Sequence, residues 1–140
     1  MPAPSDNAMS TKLTIEFMPP RHGWMEVALG SNVRFAASHV PFDSLEELLN
    51  ALLGFLESGR SGVARFNGEP EEYVLSFAAG RTSGSLRLRL NDWSYEGEAR
   101  QIGRTIWRAL RKLESEFEPS QWNHEFPARR VEQLLALLDQ

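Results

Sequence analysis

The chain has 140 residues, of which 41% are hydrophobic and 24% are charged, and these are ordinary proportions for a globular domain. They exclude a disordered chain, and no run approaches the ~18 apolar residues of a membrane span. The net charge of −4 argues against general nucleic-acid binding, because that affinity depends mainly on Lys and Arg neutralising phosphates. The chain has no cysteine, so disulfides and thiolate chemistry are excluded, and we expect a cytoplasmic protein.

The amino-terminal segment is rich in Pro, Ser and Ala and lacks the basic-then-apolar order of a signal peptide. We therefore expect residues 1–11 to form a disordered tail. The remaining length suits one core, so we expect a single α+β domain over residues 12–140.

Three strands are predicted first. Residues 12–17 alternate polar and apolar side chains, which predicts a strand with one buried face. Two further runs, at residues 24–29 and 33–38, flank a Gly-Ser-Asn segment whose composition suits a hairpin turn. These runs indicate an antiparallel meander.

A helix is predicted within the segment HVPFDSLEELLNALLGFLES, residues 39–58. Asp43 and Ser44 offer an N-cap, and Glu47 lies three residues after Ser44, as in a capping box. Leucines at positions 45, 48, 49, 52, 53 and 56 follow one helical face, and Gly59 is typical of a helix end. We expect this helix to cover a sheet and to have no role in a site.

Three more strands are predicted at residues 62–67, 71–78 and 85–91, followed by a helix over about 98–117 and a last helix from Pro127. The order is βββ-α-βββ-α-α. Because strands and helices do not alternate along the chain, this order predicts an α+β fold. We expect an antiparallel sheet of about six strands with helices packed on one face.

No catalytic or metal-binding motif is visible. The histidines at 22, 39 and 124 lie far apart in sequence, no P-loop or nucleophile elbow is present, and adjacent acids occur where strands and helices begin. We expect no metal, no cofactor and no enzyme activity, although a fold can gather distant residues, and a cryptic enzyme with a shallow acidic cleft remains an alternative.

A candidate partner-binding surface lies on the outer face of the sheet. The alternation that sends Leu86, Leu88 and Leu90 inward sends Arg87 and Arg89 outward. The same alternation places three other residues on this face: Trp24, Arg34 and Arg65. Arg and Trp are enriched at interface hot spots. The alternative is that these arginines only protect an exposed sheet from association.

A second basic surface follows the long helix. Four cations recur at every fourth position: Arg100, Arg104, Arg108 and Lys112. This row could bind phosphates or a small molecule, or it could be a solvated helix face. Residues 122–127 place Trp122 and Phe126 before the last helix, and we expect an aromatic plug between the two terminal helices, with a ligand pocket as the alternative.

The order of elements, with PFDSLEELLNALLGFLESG, ARFNGEPEEYVLSF, LRLRLNDW and a WNHEFP…VEQLLALL tail, resembles an uncharacterised bacterial protein family. More loosely, it resembles the WapI-type immunity proteins that accompany polymorphic toxins. The resemblance implies a non-enzymatic protein-binding module with another protein as its partner, and the looser likeness adds an immunity-type role to that expectation. Neither it nor the sequence distinguishes a monomer from a homodimer.

Overall fold

The structure is a computed structural model that describes residues 12–140, so the predicted tail at residues 1–11 lies outside the described part. The strands are β1 (Ile15–Phe17), β2 (Trp24–Leu29), β3 (Val33–Ser38), β4 (Gly62–Asn67), β5 (Glu72–Ala79), β6 (Ser85–Leu90) and β7 (Trp93–Glu98). The helices are α1 (Ser44–Ser58), α2 (Ala99–Glu114), α3 (Pro119–Trp122) and α4 (Ala128–Leu138).

The strands form one antiparallel sheet in chain order, from β1 to β7. This arrangement confirms the predicted α+β class and the antiparallel meanders. The sheet has two sections, because β3 and β4 pair only through Ser38 and Asn67, whereas β2–β3 and β4–β5 each pair over six residues. α1 packs along β4 in the second section, and α2 and α4 contact each other.

The predicted count of six strands was one too low, because β7 was missed. It follows β6 after the two-residue turn Asn91-Asp92 and pairs with all of β6. Trp93 and Tyr95 are its only large apolar side chains, and both are half-buried. A strand of alternating aromatic and polar residues that also contains Gly97 has a weak apolar pattern, which explains the error.

Leucines of α1 and apolar residues of α2 and α4 fill the core on one face of the sheet. Leu49, Leu52, Ile106 and Leu134 are fully buried, as their periodicity predicted. Phe117 lies beyond the end of α2, which is shorter than predicted, and it packs edge-on against Phe126 at 5.2 Å between ring centroids.

The amino-terminal end of α1 differs from the predicted capping box. Asp43 is the N-cap, and its Oδ1 accepts a hydrogen bond from the amide of Leu45 (3.1 Å). Ser44 Oγ instead donates to the carbonyl of Arg65 on β4 (2.7 Å), and Glu47 also binds Arg65. These side chains use the free edge of β4, which sequence spacing could not reveal. Gly59 ends the helix in the left-handed conformation, as predicted.

Two details of the last third also differ from expectation. The short helix α3 was not predicted, and α4 begins at Ala128 with Pro127 at the N-cap. No helix within residues 12–140 combines the length and apolar composition needed to cross a membrane.

Candidate functional site: the outer face of the sheet

The outer face of the second section of the sheet is exposed in its centre. Registers across four strands place Val63, Ser76, Arg89 and Ser94 side by side. Val74 is diagonal to Val63 on the same face. We call these five residues the outer patch.

Two side chains of the outer patch are apolar and exposed, namely Val63 at 49% and Val74 at 38%. Neither valine is among the predicted site residues, although Val63 shares the outward phase of Arg65, and Val74 is out of phase with buried Leu75 and Phe77. That alternation could have identified both valines. They lie beside charged and hydroxyl groups, so the surface offers both apolar and polar contacts.

Arg87 and Arg89 both lie on this face, but their surroundings differ. Arg87 Nε donates to Glu96 Oε1 across the β6–β7 pair (3.1 Å). Arg89 is exposed and forms no ion pair with any described carboxylate. Arg89 is therefore the cation of the outer patch that remains available to a partner.

The carboxylate of Glu96 is held in its ionised form. The backbone amide of Arg81 donates to its Oε2 (2.7 Å), and this hydrogen bond is the main cause of the lowered pKa of Glu96. Burial opposes the shift, but the hydrogen bond and charge of Arg87 add to the lowering, so the pKa is lowered overall. The Arg87–Glu96 pair thus stabilises the end of the β6–β7 hairpin.

Two of the other predicted site residues, Arg34 and Trp24, lie away from the outer patch. Arg34 is exposed and pairs with Glu26 on the neighbouring strand (3.6 Å). Trp24 is 38% exposed and lies opposite Ser38, at the other end of the β2–β3 hairpin from Arg34. Both belong to the first section of the sheet.

Arg65 lies opposite Val74 of the outer patch, but its side chain turns toward α1. Its Nε donates to Glu47 Oε1 (3.1 Å), and its guanidinium lies 4.2 Å from the ring centroid of Phe42. Burial raises the pKa of Glu47, but hydrogen bonds and the charge of Arg65 outweigh that effect, so the pKa is lowered overall. Arg65 therefore links β4 to α1.

The row on α2 also has internal partners. Arg100 Nη1 donates to the carbonyls of Leu137 (2.9 Å) and Leu138 (3.1 Å) at the end of α4. Arg104 Nη2 donates to the carbonyl of Leu138 (3.0 Å). Lys112 pairs with Glu16 on β1 (3.7 Å), which leaves Arg108 as the member of the row with neither a hydrogen bond nor an ion pair among the described residues.

The fold brings together two of the three histidines that are distant in sequence. His39 and His124 have ring centroids 6.0 Å apart and lie beside buried Trp122. Trp122 Nε1 donates to Asp43 Oδ1 (3.1 Å), so this tryptophan fixes the start of α1 and does not simply join the terminal helices. Residues 12–140 contain no group of three or more His, Cys, Asp or Glu side chains arranged to hold a metal ion.

No protein-family model, curated protein or solved structure matches the chain. The assignment of a site therefore depends on its geometry and chemistry.

Proposed function

We propose that this chain is a non-enzymatic protein-binding module whose outer patch docks against an acidic surface of another protein. The observation that carries the proposal is Arg89, an exposed cation without a carboxylate partner among residues 12–140, on the same face as two exposed valines. An arginine can bind a carboxylate through two parallel hydrogen bonds, and neighbouring apolar side chains exclude water from such a contact.

The contrast with the other arginines supports this choice. Arg34, Arg65 and Arg87 already have carboxylate partners within the fold. A partner protein that bound those arginines would have to break or share their ion pairs. Binding to Arg89 disrupts no ion pair among the described residues. The looser resemblance noted from the sequence, to WapI-type immunity proteins, supports an immunity-type role, in which binding neutralises the partner.

A face of an antiparallel sheet can also be merely solvated. The two readings differ in the effect of reversing one charge. On a solvated face, Arg89→Glu changes little. In a docked interface, it places a carboxylate against the acidic surface of the partner.

The test is capture of partners by the tagged protein from its native lysate at moderate salt, followed by titration of the purified pair. We expect to capture one stoichiometric protein with the wild type. This protein should be lost with Arg89→Glu and retained with Arg108→Glu, a matched charge reversal at an exposed position of α2. Equal capture by the Arg89 variant and the wild type would contradict the proposal. Arg87→Glu is a poor probe, because it also breaks the pair with Glu96.

A second candidate function is small-molecule binding beside the first cation of the α2 row. A cavity of about 520 Å³ lies between the end of α1, the 80–84 loop and the end of α4, and Arg100 lines it. That volume lies within the range of ligand pockets. A thermal-shift screen of anionic and apolar metabolites tests it, and a ligand that stabilises the wild type but not a Leu56→Trp variant would favour this function.

Nucleic-acid binding by the α2 row receives less support, because Arg100 and Arg104 bind carbonyls of α4. A gel-shift assay at low ionic strength is the direct test. Binding that weakens steeply with salt would restore this alternative.

A further inference from the structure

The last strand of the sheet, β7, has a free edge whose backbone groups can be identified. The amide of Ala99 donates to the carbonyl of Gly84 (2.9 Å), so Ala99 turns its backbone toward the β6 side. In an antiparallel ladder, the direction of the backbone groups alternates along the strand. The N–H and C=O groups of Ser94 and Glu96 therefore point away from β6. Within residues 12–140 they have no backbone or side-chain partner.

A groove runs along the first half of this edge. Its volume is about 600 Å³, and it is lined on one side by Trp93, Ser94, Tyr95 and Glu96. The opposite wall consists of residues 12–14 and the β2–β3 turn at residues 30–32. The curvature of the sheet brings this turn so close that a Cβ added to Gly30 would lie 3.1 Å from Trp93 Nε1. The groove thus has an unpaired backbone along one wall and an aromatic lining.

The pairing of β7 with β6 indicates which side chains an added strand should carry. On the outer face Arg87 lies opposite Glu96, and on the inner face Leu88 lies opposite Tyr95. Both β7 side chains remain partly accessible, Glu96 with 28% of its side chain exposed. A strand at the free edge meets the same carboxylate and the same ring from the other side. Glu96 already accepts hydrogen bonds from Arg87 and from the amide of Arg81, but a carboxylate has about four acceptor sites, so a basic side chain of the added strand can share it. Charge complementarity therefore favours a strand that alternates basic and apolar residues.

We propose that the free edge of β7 binds an extended segment of a partner protein, with alternating basic and apolar residues, as an eighth strand of the sheet. The N–H and C=O groups of Ser94 and Glu96 form the ladder with this segment. Its apolar side chains enter the groove beside Trp93 and Tyr95, and its basic side chains lie over Glu96. Such strand addition takes its affinity from main-chain hydrogen bonds and its specificity from alternate side chains.

This inference goes beyond the proposed function, because it depends on backbone groups of β7 and not on Arg89. The outer patch continues to Ser94, so one partner could contact both regions. Either region can bind without the other.

The probe is a fluorescent, terminally blocked peptide with the alternation of β6, Ser-Leu-Arg-Leu-Arg-Leu, titrated against the full chain by anisotropy. We expect saturable binding and amide shifts confined to residues 12–14, 30–32 and 93–96. A peptide N-methylated at the alternate residues that face β7 keeps its side chains but cannot form the ladder, and it should not bind.

Ser94→Pro removes an amide that the internal ladder does not use, and proline is tolerated at such edge positions. Its affinity for the peptide should be about 10-fold lower, corresponding to one lost hydrogen bond, while Ser94→Ala should match the wild type. Absence of binding to the wild type, equal binding to the proline variant, or shifts centred on β5, which would indicate exchange with β6, would each overturn the inference. Capture of a native partner that is lost with Arg89→Glu would then still stand, so the two proposals fail separately.

Discussion

Trp122 illustrates how a residue from the end of the chain can control an element near its start. Its indole is fully buried, and Asp43 Oδ1 accepts both its Nε1–H and the first capped amide of α1. Trp122→Phe keeps most of the packing but removes the donor, and we expect a loss of about 1–2 kcal/mol in the free energy of unfolding. Urea denaturation measures this loss. Trp107→Phe is the control, since this half-buried indole makes no hydrogen bond within residues 12–140, and an equal loss there would contradict the role of the bond.

Glu47 should make stability depend on pH. Its pKa is lowered in the folded state, so the Arg65 interactions contribute fully above the unfolded pKa of about 4.3 and are lost as pH falls through the folded value. We expect Glu47→Gln to destabilise the protein at pH 7, with a difference from wild type that shrinks below about pH 4. Denaturation midpoints between pH 3 and 7 measure it. Glu57→Gln, a change at an exposed position of α1, should leave the dependence of the midpoint on pH unaltered. A Glu47→Gln variant that is destabilised by the same amount at every pH would contradict the role of the Glu47 carboxylate.

At the level of elements, α4 depends on the cations of α2. Arg100 and Arg104 donate to the last carbonyls of α4, where positive charge is favourable. We expect Arg104→Ala to increase hydrogen exchange in the last turn of α4, with a loss of about 1 kcal/mol, whereas Arg108→Ala should change neither. Equal exchange in both variants would mean that the cations of α2 do not stabilise α4 and only form a solvated helix face.

The elements differ in how well the sequence predicts them. α1 was predicted because its leucines repeat along one face from Leu45 to Leu56, and Gly59 marks its end. β7 was missed because two half-buried aromatics give little contrast, and strand pairing supplies the rest of its stability. The capping box failed because Glu47 has a better partner on β4, and a competing contact across the fold is invisible in local spacing.

The same limit applies to the candidate site in the whole molecule. Alternation placed the arginines of β6 on the outer face, yet it could not show that Glu96 binds Arg87 and leaves Arg89 without an ion pair in the described part of the chain. Nor could it show that Trp24 and Arg34 lie on a different section of the sheet. The sequence of one strand indicates which face of the sheet each side chain occupies. Which side chains lie opposite each other depends on the register between strands, which only the folded sheet shows.

The single Ser38–Asn67 pair raises the question of whether the two sections of the sheet unfold separately. The apolar core argues that they do not, because Met25 and Phe35 of the first section and Phe66 and Leu75 of the second belong to one buried cluster with α1. We therefore expect Leu49→Ala, a change at a fully buried position of α1, to cost about 2–5 kcal/mol.

Native-state hydrogen exchange distinguishes one cooperative unit from two. If the core couples the sections, Leu49→Ala should lower the protection of β2 and β5 amides by the same free energy. A loss confined to β5, which lies in the section that α1 contacts, would mean that the first section folds on its own. In that case the sheet would be two units joined at one residue pair. The β2–β3 turn would then no longer be held as a wall of the β7 groove, and strand addition would be coupled to the docking of the two sections.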